Sequence, residues 1–246
     1  MKEILVGLLL PFLGTSLGAA AVFLPHGGNT ARTNRALCGV AAGVMTAASV
    51  WSLLLPAIER SSSLGRWAFL PAAAGLLSGV ALFLLLDRLL ASASVKSERR
   101  SLLTLAVTVH NLPEGIAVGV LVAGFLQGLD VSSGAVLALS LGIAAQNIPE
   151  GAILSLPCRH NGKTRVRAFS VGVLSGLPEP IGASLALLTA SLAAQTLPLL
   201  LAFAAGAMLY VVVTELIPSF GDDTACGAVF FTVGFIVMMA LDVSLG

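Results

Sequence analysis

The residues able to do chemistry lie in two short stretches that echo each other, His110-Asn111-Leu112-Pro113-Glu114-Gly115 and Gln146-Asn147-Ile148-Pro149-Glu150-Gly151. They recur 36 residues apart (146 − 110), each inside an apolar run. On a helix, positions i and i+3 or i+4 share a face. His110 therefore stands above Glu114 with Asn111 close by, and Gln146, Asn147 and Glu150 repeat the pattern. Proline lacks an N–H, so Pro113 and Pro149 are expected to kink their helices and free the carbonyls of Val109 and Ala145. Gly115 and Gly151 let a neighbouring backbone come close. Imidazole, carboxylate and amide groups gathered in hydrocarbon read as a cation site.

The elements that must position these groups are membrane spans. Of 246 residues, 57% are hydrophobic and 10% charged, and the mean hydropathy is +0.99. That composition excludes a soluble globular domain and indicates an all-α, polytopic membrane protein. Eight apolar segments are long enough to span, at 4–25, 35–57, 67–90, 101–126, 133–157, 168–191, 196–218 and 225–245. The whole chain, 1–246, reads as one transmembrane domain with no nucleotide- or nucleic-acid-binding part. The first segment, although preceded by Lys2, is expected to be a retained span rather than a signal peptide. Cys38, Cys158 and Cys226 show no C-x-x-C spacing, so neither a disulfide framework nor a thiolate zinc site is indicated. Asn161-Gly162-Lys163-Thr164 imitates the end of a phosphate loop, but Pro157 stands where the first glycine is required.

Orientation follows from Lys and Arg. With the N-terminus outside, the inner loops hold Arg32, Arg35, Arg88, Lys96, Arg99, Arg100, Arg159, Lys163, Arg165 and Arg167. Only Lys2, Arg60 and Arg66 fall outside, so both termini are expected to face out. Ala41-Ala42-Gly43-Val44-Met45 in span two matches Ala204-Ala205-Gly206-Ala207-Met208 in span seven, and the two matches lead to Pro56 and Pro218. The copies run in opposite directions, so the plan is an inverted 3+2+3 repeat. Its halves are about 1–90 and 168–246, around central helices 101–157. Gly14/Gly18, Gly75/Gly79, Gly115/Gly119 and Gly172/Gly176 suit close helix packing, and permit a homodimer.

Glu114, Glu150 and Glu179 fall well inside spans. Each charge at a helix centre costs about 2.5–3.5 kcal/mol, and no Lys or Arg lies in spans four, five or six to offset it. Either the carboxyls are protonated or a cation lies between them. Imidazole with carboxylates suits zinc or a neighbouring first-row ion better than calcium or magnesium. The bland alternative is that buried Asn and Gln side chains merely hydrogen-bond between helices, and that Met45 is packing. It accounts for single residues more readily than for the paired motifs with Gly176-Leu177-Pro178-Glu179-Pro180 in span six.

Those motifs resemble the ZIP family (Zrt-/Irt-like proteins), and within it the bacterial GufA-like branch, over essentially the whole chain. The resemblance implies a multi-pass transporter of the cell (inner) membrane with eight spans and both termini outside, often dimeric. It implies one metal position formed by His110, Glu114, Gln146 and Glu150, with Met45 nearby. A second would use Asn111, Asn147 and Glu179, with Glu114 and Glu150 bridging ions on the order of 4 Å apart. The implied cargo is Zn2+, with Cd2+, Fe2+ or Mn2+ as further substrates, carried into the cytoplasm as spans one, four, five and six move against the others. Many members have His where this chain has Gln146, and some have Asp where it has Asn147. The loop from Ala91 to Arg100 lacks the histidines that others carry, so no cytosolic metal buffer is expected there. The rival readings are an intramembrane zinc hydrolase with one glutamate as base, and a metal sensor or passive channel.

Overall fold

The structure, a computed structural model, describes residues 2–24, 31–93, 99–160, 162–188, 193–221 and 223–245. Expectations resting on His26, Asp222 and residues 94–98, and on the side chains of His110 and His160, lie outside the described residues. The described chain is helical throughout, in the order α1 (Lys2–Ala19), α2 (Ala31–Ala48), α3 (Leu55–Glu59), α4 (Phe69–Ala93) and α5 (Arg99–Leu126). There follow α6 (Ser133–His160), α7 (Arg165–Ser175), α8 (Pro178–Leu188), α9 (Ala193–Val211) and α10 (Thr224–Leu245). Among the described residues, seven helical stretches are long and apolar enough to cross a bilayer, making this a multi-pass membrane protein. The apolar part of α5 whose side chains are described, Asn111–Leu126, is shorter.

Neither motif proline interrupts its helix. α5 runs unbroken through Pro113 and α6 through Pro149. A single proline removes one rung of the ladder, which a packed membrane helix tolerates. The irregular backbone lies elsewhere. Span six, expected as one helix, divides at Gly176-Leu177 into α7 and α8. Pro178 has no N–H to offer Leu174, so that carbonyl is taken by Leu177 in a tighter turn (3.3 Å). Two further irregularities are π turns at Ser49–Leu54 and Val212–Leu216, closely preceding Pro56 and Pro218. In the second, Ile217 N–H reaches back five residues to Val212 (2.9 Å).

Packing follows the glycines. α1 lies along α6, α5 along α8, α2 along α10, and α4 along α9. At each pair a glycine takes the neighbour's backbone against its own: Gly14 meets Ala144, Gly115 meets Glu179, Gly43 meets Phe231 and Gly79 meets Phe203. Two bundles result, α1 with α5 to α8 and α2 with α4, α9 and α10. They meet along a seam where α6 contacts α2 and α5 contacts α9.

A β-carbon at Gly79 would meet the carbonyl of Phe203 and the amide nitrogen of Ala207, both backbone. Gly79→Val is expected to cost about 1–3 kcal/mol through overpacking, seen as a lowered melting temperature of the purified protein in detergent.

Candidate metal site

The polar centre of the molecule is assembled by five helices. Glu114, Asn111, Gln146, Asn147 and Glu179 are all essentially inaccessible, and Glu150 is 8% exposed. Glu114 is the hub: Gln146, Asn147, Glu150 and Glu179 all lie in its immediate field. Gln146 donates an amide hydrogen from Nε2 to Glu114 Oε1 (2.6 Å). Glu179 is surrounded by Thr15, Asn111, Asn147 and Glu150. Its Oε1 accepts hydrogen bonds from Thr15 Oγ1 (2.6 Å) and from Asn111 Nδ2 (3.0 Å). Asn147 Nδ2 donates to the carbonyl of Pro11 (3.5 Å).

Each contact has a cause in the local sequence. Glu179 N–H, which in a continuous helix would bond to Ser175, instead bonds to Gly176 (3.1 Å) because of the break. The Ser175 carbonyl, so released, accepts Asn111 Nδ2 (3.2 Å). Glu179 itself stands in the first turn of α8, where the helix dipole favours a negative charge. The glycine after each motif glutamate sets the approach of the helix opposite. A β-carbon at Gly115 would strike the backbone of Glu179, and one at Gly151 the backbone of Thr15 and Ala19.

What remains is a set of acceptors. Asn111 Oδ1, Glu114 Oε2, Gln146 Oε1, Asn147 Oδ1 and Glu179 Oε2 are buried and accept no hydrogen bond among the described residues. Buried oxygens of this kind are costly unless something donates to them or a cation binds them. The carboxylates are interleaved with amides: among the described residues, no three His, Cys, Asp or Glu side chains stand together as a metal-binding group. The side chain of His110, one turn before Glu114 on α5, falls outside the description. Met45 is fully buried in the apolar core, where its carbonyl accepts from Ser49 Oγ (2.8 Å).

Comparison with known proteins is now decisive. Residues 91–242 match the family described as ZIP Zinc transporter. The chain is 34% identical to "Zinc transporter ZIP11" of Xenopus tropicalis, over 98% of this chain and 97% of that protein. It is 38% identical to "Zinc transporter ZIPB" of Bordetella bronchiseptica over 96% and 79% of the two chains. Against "Zinc transporter GufA" of Myxococcus xanthus it is 40% identical over 37% of each. The chain belongs to the ZIP family. Its relatives are transporters, and on that ground the hydrolase reading is set aside.

Within this ZIP protein, two features of the polar centre were not read from sequence. Thr15 sits beside Ser16 in an otherwise apolar span, 164 positions from its partner Glu179, with no periodicity to single it out. The Pro11 carbonyl, bound by Asn147, is backbone and leaves no trace in composition. Pro11 inside α1 was the one available signal.

Glu114→Gln keeps an oxygen to accept from Gln146 while removing the charge. A unit charge about 4 Å away is worth roughly 4 kcal/mol in a partly screened interior, or about a thousandfold in affinity. The variant is expected to melt like the wild type in detergent and to lose zinc binding by that order, measured by equilibrium dialysis.

Proposed function

We propose that this protein carries zinc, with cadmium, iron or manganese as further cargo, across the cell membrane into the cytoplasm through a two-ion centre. One position would use His110, Glu114, Gln146 and Glu150, with Met45 alongside; the other would use Asn111, Asn147 and Glu179, with Glu114 and Glu150 shared. The observation that carries this reading is the set of oxygens without donors on Asn111, Glu114, Gln146, Asn147 and Glu179, all buried in one interior. A divalent cation satisfies both the oxygens and the charge, and zinc is the ion for which the relatives are named.

The architecture proposed is eight spans in an inverted 3+2+3 arrangement with both termini outside. The helix pairing supports it. Exchanging spans one with six, two with seven, three with eight and four with five converts the α1–α6 pair into α8–α5, and the α2–α10 pair into α9–α4. The π turns are also related. The Ala-Ala-Gly matches are 163 residues apart (204 − 41) and the following prolines 162 (218 − 56), and the first π turn has six residues against five.

The route supports alternating access. At the junction of α5 and α6 lies a cavity of about 350 Å3, lined by Glu59, Asp130 and Asp242 together with Arg60 and Ser52. An acidic mouth of this kind gathers cations. Ser52 donates to Asp242, and the Arg60 guanidinium to the Asp130 carbonyl. Below it, Ala117, Val118, Leu139 and Ile143 are fully buried and intervene along α5 and α6 before Glu114 and Gln146. A hydrated ion cannot cross that layer unless the helices move, so the arrangement favours a transporter over an open channel. The seam between the two bundles is where such movement would occur. A divalent ion entering at 100 mV, inside negative, gains about 4.6 kcal/mol.

The test is zinc uptake into proteoliposomes. Wild-type protein is expected to give saturable uptake that rises with an inside-negative potential, and Glu150→Ala to abolish it. Zinc binding in detergent without flux would favour a sensor, and flux that never saturates a channel.

A further inference from the structure

We propose that Thr15 is a positioning residue for the second metal position, holding Glu179 so that it meets the cation through one oxygen. This rests on the two-ion reading above and assigns to α1, which supplies no expected ligand, a part in the site. Thr15 is wholly buried, and its hydroxyl donates to Glu179 Oε1 at 2.6 Å. Asn111 Nδ2 donates to the same oxygen. With two donors on Oε1, the carboxylate cannot rotate without losing both, and Oε2 is left as the acceptor.

The threonine is held in turn. Gly176, at the break in span six, packs against its β-carbon and methyl group. β-Branched side chains have stiff χ1 torsions, so a methyl seated on Gly176 leaves the hydroxyl aimed at Glu179. One turn earlier on the same face of α1, Pro11 takes the amide hydrogen of Asn147 on its carbonyl. Asn147 Oδ1 is thereby left toward the interior, without a donor. α1 thus orients two of the three groups peculiar to the second position. Its own place is fixed by Gly14 and Gly18, which lie directly on the backbone of Ala144 and Ile148 flanking Asn147. Groups that orient metal ligands in this way typically change metal affinity by 10- to 100-fold when removed.

The experiment is equilibrium dialysis of the full-length protein in detergent against Zn2+, and separately Cd2+, for wild type, Thr15→Val and Thr15→Ser. Wild type is expected to bind two ions. Thr15→Val, which keeps the shape and loses the hydroxyl, is expected to weaken one of the two by about tenfold and leave the other unchanged. Thr15→Ser is expected to restore most of the loss. Should the valine variant fail to fold, Thr15→Ala against Thr15→Ser isolates the same hydroxyl. Variants lacking the hydroxyl that bind both ions like wild type would overturn the assignment. So would a serine variant as weak as valine, since packing alone would then explain the effect. A wild type that binds a single ion removes the second position and the proposal with it. Glu114→Gln separates the two levels: if it loses zinc while Thr15→Val does not, only the role of Thr15 fails.

Discussion

Three carboxylates buried in a low-dielectric interior form the constraint on which the rest of this protein depends. No Lys or Arg lies in the three spans that carry them. In the structure the compensation comes from dipoles. Gln146 donates to Glu114, while Thr15 and Asn111 donate to Glu179. Glu179 also stands at the positive end of α8. Each donor requires a feature of the backbone. Asn111 is anchored by a carbonyl that only the break at Gly176-Leu177 releases. Thr15 reaches its partner because Gly151 and Gly176 let α1 lie directly on α6 and the α7–α8 junction. The break in span six falls where the buried charge needs it.

This dependence explains which parts of the protein were legible in the sequence. Apolar runs about 20 residues long announce spans because bilayer thickness fixes their length, and the two motifs announced the polar centre because charge in hydrocarbon has so few structural uses. The family, too, was readable from those residues. The backbone irregularities were harder. Pro113 and Pro149 lie within unbroken α5 and α6, whereas Pro178 and Pro180 divide a span that read as continuous. The difference is cumulative: one missing N–H is absorbed, but Pro178 and Pro180 fall within a single turn of each other and next to Gly176. The π turns near Pro56 and Pro218 were likewise invisible, although the repeat that contains them was not. Thr15 was missed because a single hydroxyl can satisfy itself on its own helix, as Thr46 does on Ala42. Only the third dimension distinguishes the two threonines.

The amides at 146 and 147 bring hydrogen-bonding groups to the buried centre without bringing charge. An amide is both donor and acceptor, whereas an ionised carboxylate only accepts. Gln146 gives its N–H to Glu114 and Asn147 gives its own to Pro11. Their oxygens have no donor among the described residues. A carboxylate at position 147 would add a fourth acidic group to a buried centre that already holds three. Repulsion at about 4 Å in a partly screened interior is roughly 4 kcal/mol per pair, comparable with the whole insertion cost of one such residue. An amide at 147 therefore adds polar atoms to the buried centre without adding a charge.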